Sequence, residues 1–354
     1  SKGVLVDASG RIVAQAARAH EMIVPRAGWA EHRAEEDWWG DFVFITRTLL
    51  SQSGVDPQDI KCVAASAIGP CMLPLDAAGQ PLMNGVLYGV DTRAADEIDL
   101  LNAEIGVETI LQRCGNALTS QAVGPKILWL RHQRPELWAK TAKIVTSTTY
   151  LTWKLTGRFV IDHYTASTFA PLYDIARQDW CLDLADICPT AMLPSLMWSG
   201  EIAGAVSAAA ARETGLAMGT PVICGTIDAA AEAVSVGVAE PGDMMMMYGS
   251  TIFIIEIAQK RLTDPRLWHA PWLVAGQHAA MAGLATSGTL THWFRDQFAR
   301  DLPKDTAFAT LTAEANATPP GAHGLICLPY FSGERTPIHD PHAKGAFFGL
   351  NLTH

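Results

Sequence analysis

Asp228 combines a residue type and a setting that suit catalysis. It follows Gly219-Thr220-Pro221-Val222-Ile223-Cys224-Gly225, a glycine-bounded strand, and begins an alanine-rich helix that runs to Gly237. A carboxylate there stands at the carboxyl end of a strand, where open α/β sheets form their ligand crevice. In phosphoryl transfer it would accept the proton of the attacking hydroxyl. Aspartate is equally at home as a helix N-cap. The two roles oppose each other, because amide hydrogen bonds lower the pKa and weaken a base.

Three further segments carry groups suited to the same chemistry. Tyr248-Gly249-Ser250-Thr251 follows the strand Met244 to Met247. Its glycine and two hydroxyls suit a tight turn whose donors approach a phosphate, although an ordinary hairpin turn uses the same residues. Within Gly283 to Asp296, Ser287-Gly288 precedes a helix carrying Trp293 and Phe294. Small residues at a helix start suit either nucleotide approach or close packing. The stretch Pro329-Tyr330-Phe331-Ser332-Gly333-Glu334-Arg335-Thr336-Pro337, with Asp340-Pro341 and Lys344 to Leu350 after it, is dense in turn formers and charge. It reads as a structured loop, either a salt-bridged hinge or part of a site.

Common site motifs are missing. The chain has no G-x-x-x-x-G-K-[ST], no G-x-G-x-x-G after a strand, no H-E-x-x-H and no paired cysteine ligands. It also lacks G-x-S-x-G, so α/β-hydrolase chemistry has no support. The eleven histidines fall into no metal spacing, and His323, His339 and His342 are expected in loops or at the surface. The four consecutive methionines 244–247 are expected to line a buried strand rather than to bind copper.

The elements that must position these groups follow from local pattern. Gly3 to Val6, the turn Asp7-Ala8-Ser9-Gly10 and Arg11 to Ala14 read as strand, turn, strand. The phrase recurs where Met72 to Leu75 meets Asp76-Ala77-Ala78-Gly79. Between them Trp38, Phe42, Ile45 and Leu49 make one stripe at helical spacing, and Ile60 to Ile68 reads as a buried strand. From Pro125 to Gly157 the pattern is mostly helical, with Pro135 opening a second helix that holds Leu137, Trp138 and Ile144. Residues 165–200 are irregular, with turns at Pro171, Pro189 and Pro194, and a short helix from Ala205 to Thr214 stops at Gly215. Met244 to Ile257 is hairpin-like. The fold class is α/β, and a composition change places a domain boundary near residue 218.

The chain has 354 residues, about two domains' worth, with 49% hydrophobic residues to fill a core. Only 18% are charged, too few for a disordered chain. Asp plus Glu number 36 against 26 Lys plus Arg, a net charge of -10, which argues against nucleic acid as a partner but not against a locally held phosphate. Seven scattered cysteines without CxxC read as reduced core thiols. With no leader pattern and no apolar run long enough to span a membrane, the protein is expected to be soluble and cytoplasmic.

In order and spacing, these segments resemble the FGGY family of carbohydrate kinases along nearly the whole chain. Pro25-Arg26-Ala27-Gly28-Trp29-Ala30-Glu31 with Asp37-Trp38-Trp39 resembles the family's opening motif. Leu155-Thr156-Gly157, Ala166-Ser167 and Trp180 resemble its middle. Gly225 with Asp228 resembles its "GxxDxxxxxxGxG" element and Gly249-Ser250-Thr251 its "GTS" phosphate turn. Pro329 to Leu350 is similar to its "PYxxGERTPxxDPxARGxFxGL" segment.

The resemblance implies two ribonuclease-H-like domains of the actin, heat-shock-70 and sugar-kinase superfamily around a cleft. Residues 1–218 would be the sugar-binding domain and 219–354 an incomplete nucleotide-binding domain. It implies ATP and Mg²⁺, a small sugar or polyol as substrate and Asp228 as catalytic base. Gly249, Ser250, Thr251, Gly288 and His292 would contact the nucleotide. Asp91 and Arg93, in Tyr88-Gly89-Val90-Asp91-Thr92-Arg93, match the family's "W.D.R" segment on the sugar side. Asp228 would face the 249–251 bend. A homodimer is left open.

The chain departs from the family at three places. It opens at Ser1-Lys2-Gly3, just after the place of the family's phosphate loop, with Lys2 as that loop's last residue. It ends at His354, where the family continues with helices and an adenine-binding segment, so a fragment is expected. Gly69-Pro70 stands where xylulose kinases carry Met-His, and Tyr88 replaces a common Trp. Xylulose-kinase-like phosphorylation of a ketopentose or polyol is the leading expectation. The alternative is a non-catalytic sugar- or nucleotide-binding fragment.

Overall fold

The computed structural model describes residues 1–338, 340 and 342–352. His339 and Pro341, named above, lie outside them. The chain divides into two compact units. The first comprises Ser1–Gly237 with Ala270–His278, and the second Val238–His269 with Ala279–His354.

In the first unit, strands Lys2–Val6 and Ile12–Ala17 pair antiparallel around an aspartate-initiated turn. Asp7 Oδ1 accepts the amides of Ser9 and Arg11, and Gly10 closes the turn at φ +83°. The same device recurs at Asp76, whose Oδ1 accepts the amides of Ala78 and Gln80, with Gly79 at φ +81°. The stripe begun by Trp38 starts in a π-helical turn, Ala34–Gly40, that runs on into helix Asp41–Ser53.

Two expectations for this unit are corrected. Ile144 belongs to strand Lys143–Val145, not to a helix: it pairs with Pro74 in the antiparallel partner Leu73–Leu75, as its β-branched neighbourhood favours. Helix Val123–Gln133 and the short helix Pro135–Trp138 precede it. Within Ile60 to Ile68 only Ser66–Ala67 is strand, with a bridge from Val63 to Val222, and much of the segment is exposed. Among the described residues it pairs with the 222–227 run on one side alone.

The segment 219–237 packs with the first unit, and the units part between Gly237 and Val238. Strand Pro221–Ile223 pairs antiparallel with Ile202–Ala205, which takes Ala205 out of the helix; that helix spans Ala208–Thr214, capped by the Ser207 hydroxyl and by Gly215 at φ +81°. Among the described residues, two large apolar clusters and a small one of Val160, Ala203 and Cys224 lie in this unit. One large cluster gathers Leu101, Ile110, Ile127, Phe169 and Tyr173, the other Trp38, Leu73, Val145, Tyr150 and Val222.

A four-stranded sheet runs in the order Met244–Tyr248, Ile252–Ala258, His278–Leu284, Trp268–Pro271, and all of it except Ala270, Pro271 and His278 belongs to the second unit. Met244–Tyr248 is an edge strand. Consequently only Met245 is buried, whereas Met244, Met246 and Met247 are exposed, which corrects the expectation of a buried methionine strand. Helices Gly288–Phe298 and Ala307–Ala317 follow. Cys62 and Cys327 are exposed, so five of the seven cysteines, not all, are core thiols. His323 and His342 are at the surface. No helix among the described residues is long and apolar enough to cross a membrane.

Candidate active site

Strands Ser66–Ala67 and Thr226–Ile227 are parallel neighbours, with Ser66 opposite Thr226 and Ala67 opposite Ile227. Gly69-Pro70 and Asp228 therefore leave the sheet at the same carboxyl end, the edge at which α/β sheets bind ligands. The two segments touch. A Cβ at Gly69 would run into the Ile227 side chain, so this close approach requires glycine. Gly225, at φ +75°, leaves no room for a Cβ either, since the Ala65 carbonyl oxygen occupies that place.

Asp228 is the first residue of helix Asp228–Ser235, and Ile227 occupies the cap position. The Asp228 carboxylate takes one amide, that of Ala229 at 2.8 Å. Burial outweighs this bond and, with Glu232 one turn on, pushes its pKa up to about 6. Asp228 is thus not the N-cap: one turn amide holds the group, and desolvation makes its carboxylate more basic than that of a free aspartate. Its charge also reaches Cys71, whose thiol burial pushes up to about 12, and the buried Tyr164.

Asp91 and Arg93 follow Leu87 to Gly89 in the chain, and Asp91 donates its amide to the Tyr88 carbonyl at 2.9 Å. Neither side chain has exposed surface. Arg93 pairs with Asp91 Oδ2 at 2.7 Å and with Glu31 Oε1 at 2.8 Å, and its guanidinium lies 3.8 Å from the Trp29 ring centroid and 4.9 Å from that of Trp129. Asp91 Oδ2 also accepts the Ala30 amide at 2.7 Å. The Gly28–Glu31 and Asp91–Arg93 motifs are therefore two halves of one buried framework. Lys126, also buried, completes it by donating to the carbonyls of Leu87, Tyr88 and Ser120 at 2.6, 3.0 and 2.8 Å. Desolvation lowers its pKa to about 8.

In the second unit the hairpin turn Gly249–Thr251 rests on the head of helix Gly288–Phe298. Gly288 donates its amide to the Gly249 carbonyl at 2.9 Å, and Ser287 donates to that of Ser250 at 3.0 Å. A Cβ on Gly288 would stand 2.7 Å from the Gly249 oxygen. The glycine thus serves close packing, which spends these amides on the turn. Ser250 is exposed, and among the described residues the Ser250 and Thr251 hydroxyls make no hydrogen bond. His292, one turn along the helix, is exposed and meets the Phe308 ring edge-on at 5.0 Å.

The 329–337 loop supports this shelf. Glu334 is buried, and its Oε1 accepts the amides of Ala285 and Arg335 at 2.9 and 2.7 Å. Thr286 donates its hydroxyl to the Pro329 carbonyl at 2.8 Å, and Thr336 bonds Gly283 in both directions. Glu334 thus binds backbone amides rather than forming the hinge salt bridge that the sequence allowed.

The sequence profile of the FGGY family of carbohydrate kinases, N-terminal domain, matches residues 1–235, and that of its C-terminal domain matches residues 244–354. The chain belongs to the FGGY family of carbohydrate kinases. The crystal structure of xylulose kinase from Rhodospirillum rubrum superposes with a TM-score of 0.94 at 32% identity, over 100% of this chain and 71% of that one. The xylulose kinase of Bacillus subtilis is 28% identical, over 100% of this chain and 70% of its own length. A gluconokinase of the same organism is 25% identical at the same two coverages. The fold is the α/β, ribonuclease-H-like one of the sugar kinases.

Within this FGGY chain the sequence reading missed Glu31 and Lys126 as parts of the buried framework around Asp91 and Arg93. Lys126 had a usable signal, a lone cation inside Gly124-Pro125-Lys126-Ile127-Leu128-Trp129-Leu130. Such a residue is buried only when its charge is met.

Proposed function

We propose that the chain phosphorylates a hydroxyl of a ketopentose or polyol with ATP, D-xylulose being the leading acceptor. The observation that carries this reading is the half-buried Asp228 carboxylate, with its pKa of about 6, beside Gly69-Pro70 at the shared carboxyl end of two parallel strands. The similarity to xylulose kinases supports the choice of acceptor, while the gluconokinase relative keeps sugar acids on the test panel.

Asp228 takes the proton of the acceptor hydroxyl. The acceptor oxygen then bonds to the γ-phosphorus as the bond to the ADP oxygen breaks. Gly69 and Pro70 line the acceptor side. Asp91 and Arg93 act indirectly, by tying their own segment to Ala30 and Glu31, while Lys126 holds the Leu87 and Tyr88 carbonyls.

The 249–251 bend fits a polyphosphate. Its two hydroxyls are uncommitted, and a Cβ at Gly249 would meet only the Thr251 oxygen, at 3.7 Å, so the surface there is open. Gly288 holds the bend, and His292 flanks the nucleotide. Mg²⁺ would ride on the phosphates and offset charge on the transferring group, in keeping with its preference for few protein ligands. A coupled assay of ADP release with D-xylulose, gluconate and glycerol tests the proposal. Turnover highest with D-xylulose supports it, and highest turnover with gluconate reassigns the acceptor.

A further inference from the structure

Asp162 is a buried carboxylate that reaches the strand ahead of Asp228. It ends strand Val160–Asp162, caps helix His163–Ala166, and is 2% exposed. Capping occupies its Oδ2 with the Thr165 amide at 3.2 Å. The same oxygen accepts the hydroxyls of Thr226 at 2.9 Å and Ser199 at 3.3 Å. Its bonds go beyond capping this four-residue helix, and burial of a carboxylate is costly unless its oxygens are met by donors.

Thr226 lies two residues before Asp228 and is held at both ends. Its hydroxyl goes to Asp162, and its carbonyl accepts the Thr148 hydroxyl at 3.1 Å. The residues ahead of it are fixed in the same way. Cys224 donates its amide to Glu201 and accepts the Thr152 hydroxyl, and Gly225 donates to the Ser199 carbonyl at 3.0 Å. Ser199 therefore holds the strand by its backbone and Asp162 by its side chain. Asp228 itself, with one amide bond, depends on this platform for its place.

We propose that Asp162 is the positioning residue for Asp228, fixing through the Thr226 hydroxyl the strand end that carries the base. The inference rests on the reading of Asp228 as base. A base must lie within hydrogen-bond reach of its proton, and displacement of about 1 Å can cost roughly 10²-fold in rate.

The test compares Thr226→Val, Thr226→Ser, Asp162→Asn and Asp228→Asn in the natural gene product. The acceptor is whichever of D-xylulose, gluconate and glycerol the wild type turns over fastest. Thr226→Val keeps the side-chain shape and deletes the hydroxyl. Its kcat is expected to fall about 10- to 100-fold with the acceptor KM within about twofold of wild type. Thr226→Ser is expected to restore kcat, an outcome that loss of packing alone would not give. If Thr226→Val fails to fold, Asp162→Asn decides, and its kcat is expected to drop several-fold at unchanged KM. Wild-type kcat in the variants that fold, with Asp228→Asn inactive, would overturn this inference alone. Full turnover by Asp228→Asn would remove the base reading and this inference with it.

Discussion

The amide of Gly288 donates to the carbonyl of Gly249 at 2.9 Å, so the head of a helix is fastened to the bend of a hairpin. Both partners are backbone, and neither can yield by changing a rotamer. Gly288→Ala would put a methyl 2.7 Å from the Gly249 oxygen and force the bend to move. The expected result is an ATP KM raised about tenfold, a loss of roughly 1.4 kcal/mol, with the acceptor KM unchanged. Steady-state kinetics with each substrate varied in turn checks this.

Asp228 stands between activity and stability. Its pKa is raised from 3.8 to about 6, chiefly by burial. Below pH 3.8 the carboxyl is neutral folded and unfolded. As pH rises through 6 the folded state must carry a desolvated charge and loses stability. Asp228→Asn is therefore expected to raise Tm above pH 6, with the gain fading toward pH 4. Thermal scans across that range check the sign; a lower Tm at pH 8 would contradict it. The wild-type kcat/KM is expected to fall tenfold per pH unit below about pH 6, as the base becomes protonated.

Arg93 pairs with both Asp91 and Glu31, and its own side chain and that of Asp91 have no exposed surface. Removing one partner of a buried ion pair leaves an uncompensated charge, at a cost of about 3–5 kcal/mol. Arg93→Met is expected to lose that much in urea denaturation. A loss under about 1 kcal/mol would mean the framework is not structural.

Gly225 combines positive φ with an occupied Cβ position, whereas Gly10 has positive φ and open space. Gly10→Ala is expected to cost about 1–2 kcal/mol from backbone conformation alone. Gly225→Ala must cost more, because the Ala65 backbone has to shift, and its Tm should drop by at least twice as much. Equal effects would contradict the close approach.

Local signals were legible where they were sufficient. The aspartate-glycine turns at 7–10 and 76–79, the hairpin bend at 249–251, and the helix starts at Asp228 and Gly288 are written in residues that act on their immediate neighbours. Ile144 was misread because a three-residue strand has no period of its own, and its partner Leu73–Leu75 is remote in sequence. The methionines were misplaced because edge or centre is a property of the sheet. Asp228 stood out by its setting, whereas the hydrogen bond between Asp162 and Thr226 joins residues far apart in the chain.

The most direct measurement is transfer of labelled γ-phosphate from ATP to the best acceptor by the natural gene product, wild type against Asp228→Asn. The account predicts a labelled sugar phosphate from wild type and a rate roughly 10²–10⁴-fold lower from Asp228→Asn, with ATP binding intact. Turnover by Asp228→Asn within a factor of a few of wild type, or sugar and ATP bound by wild type without any transfer, would contradict it.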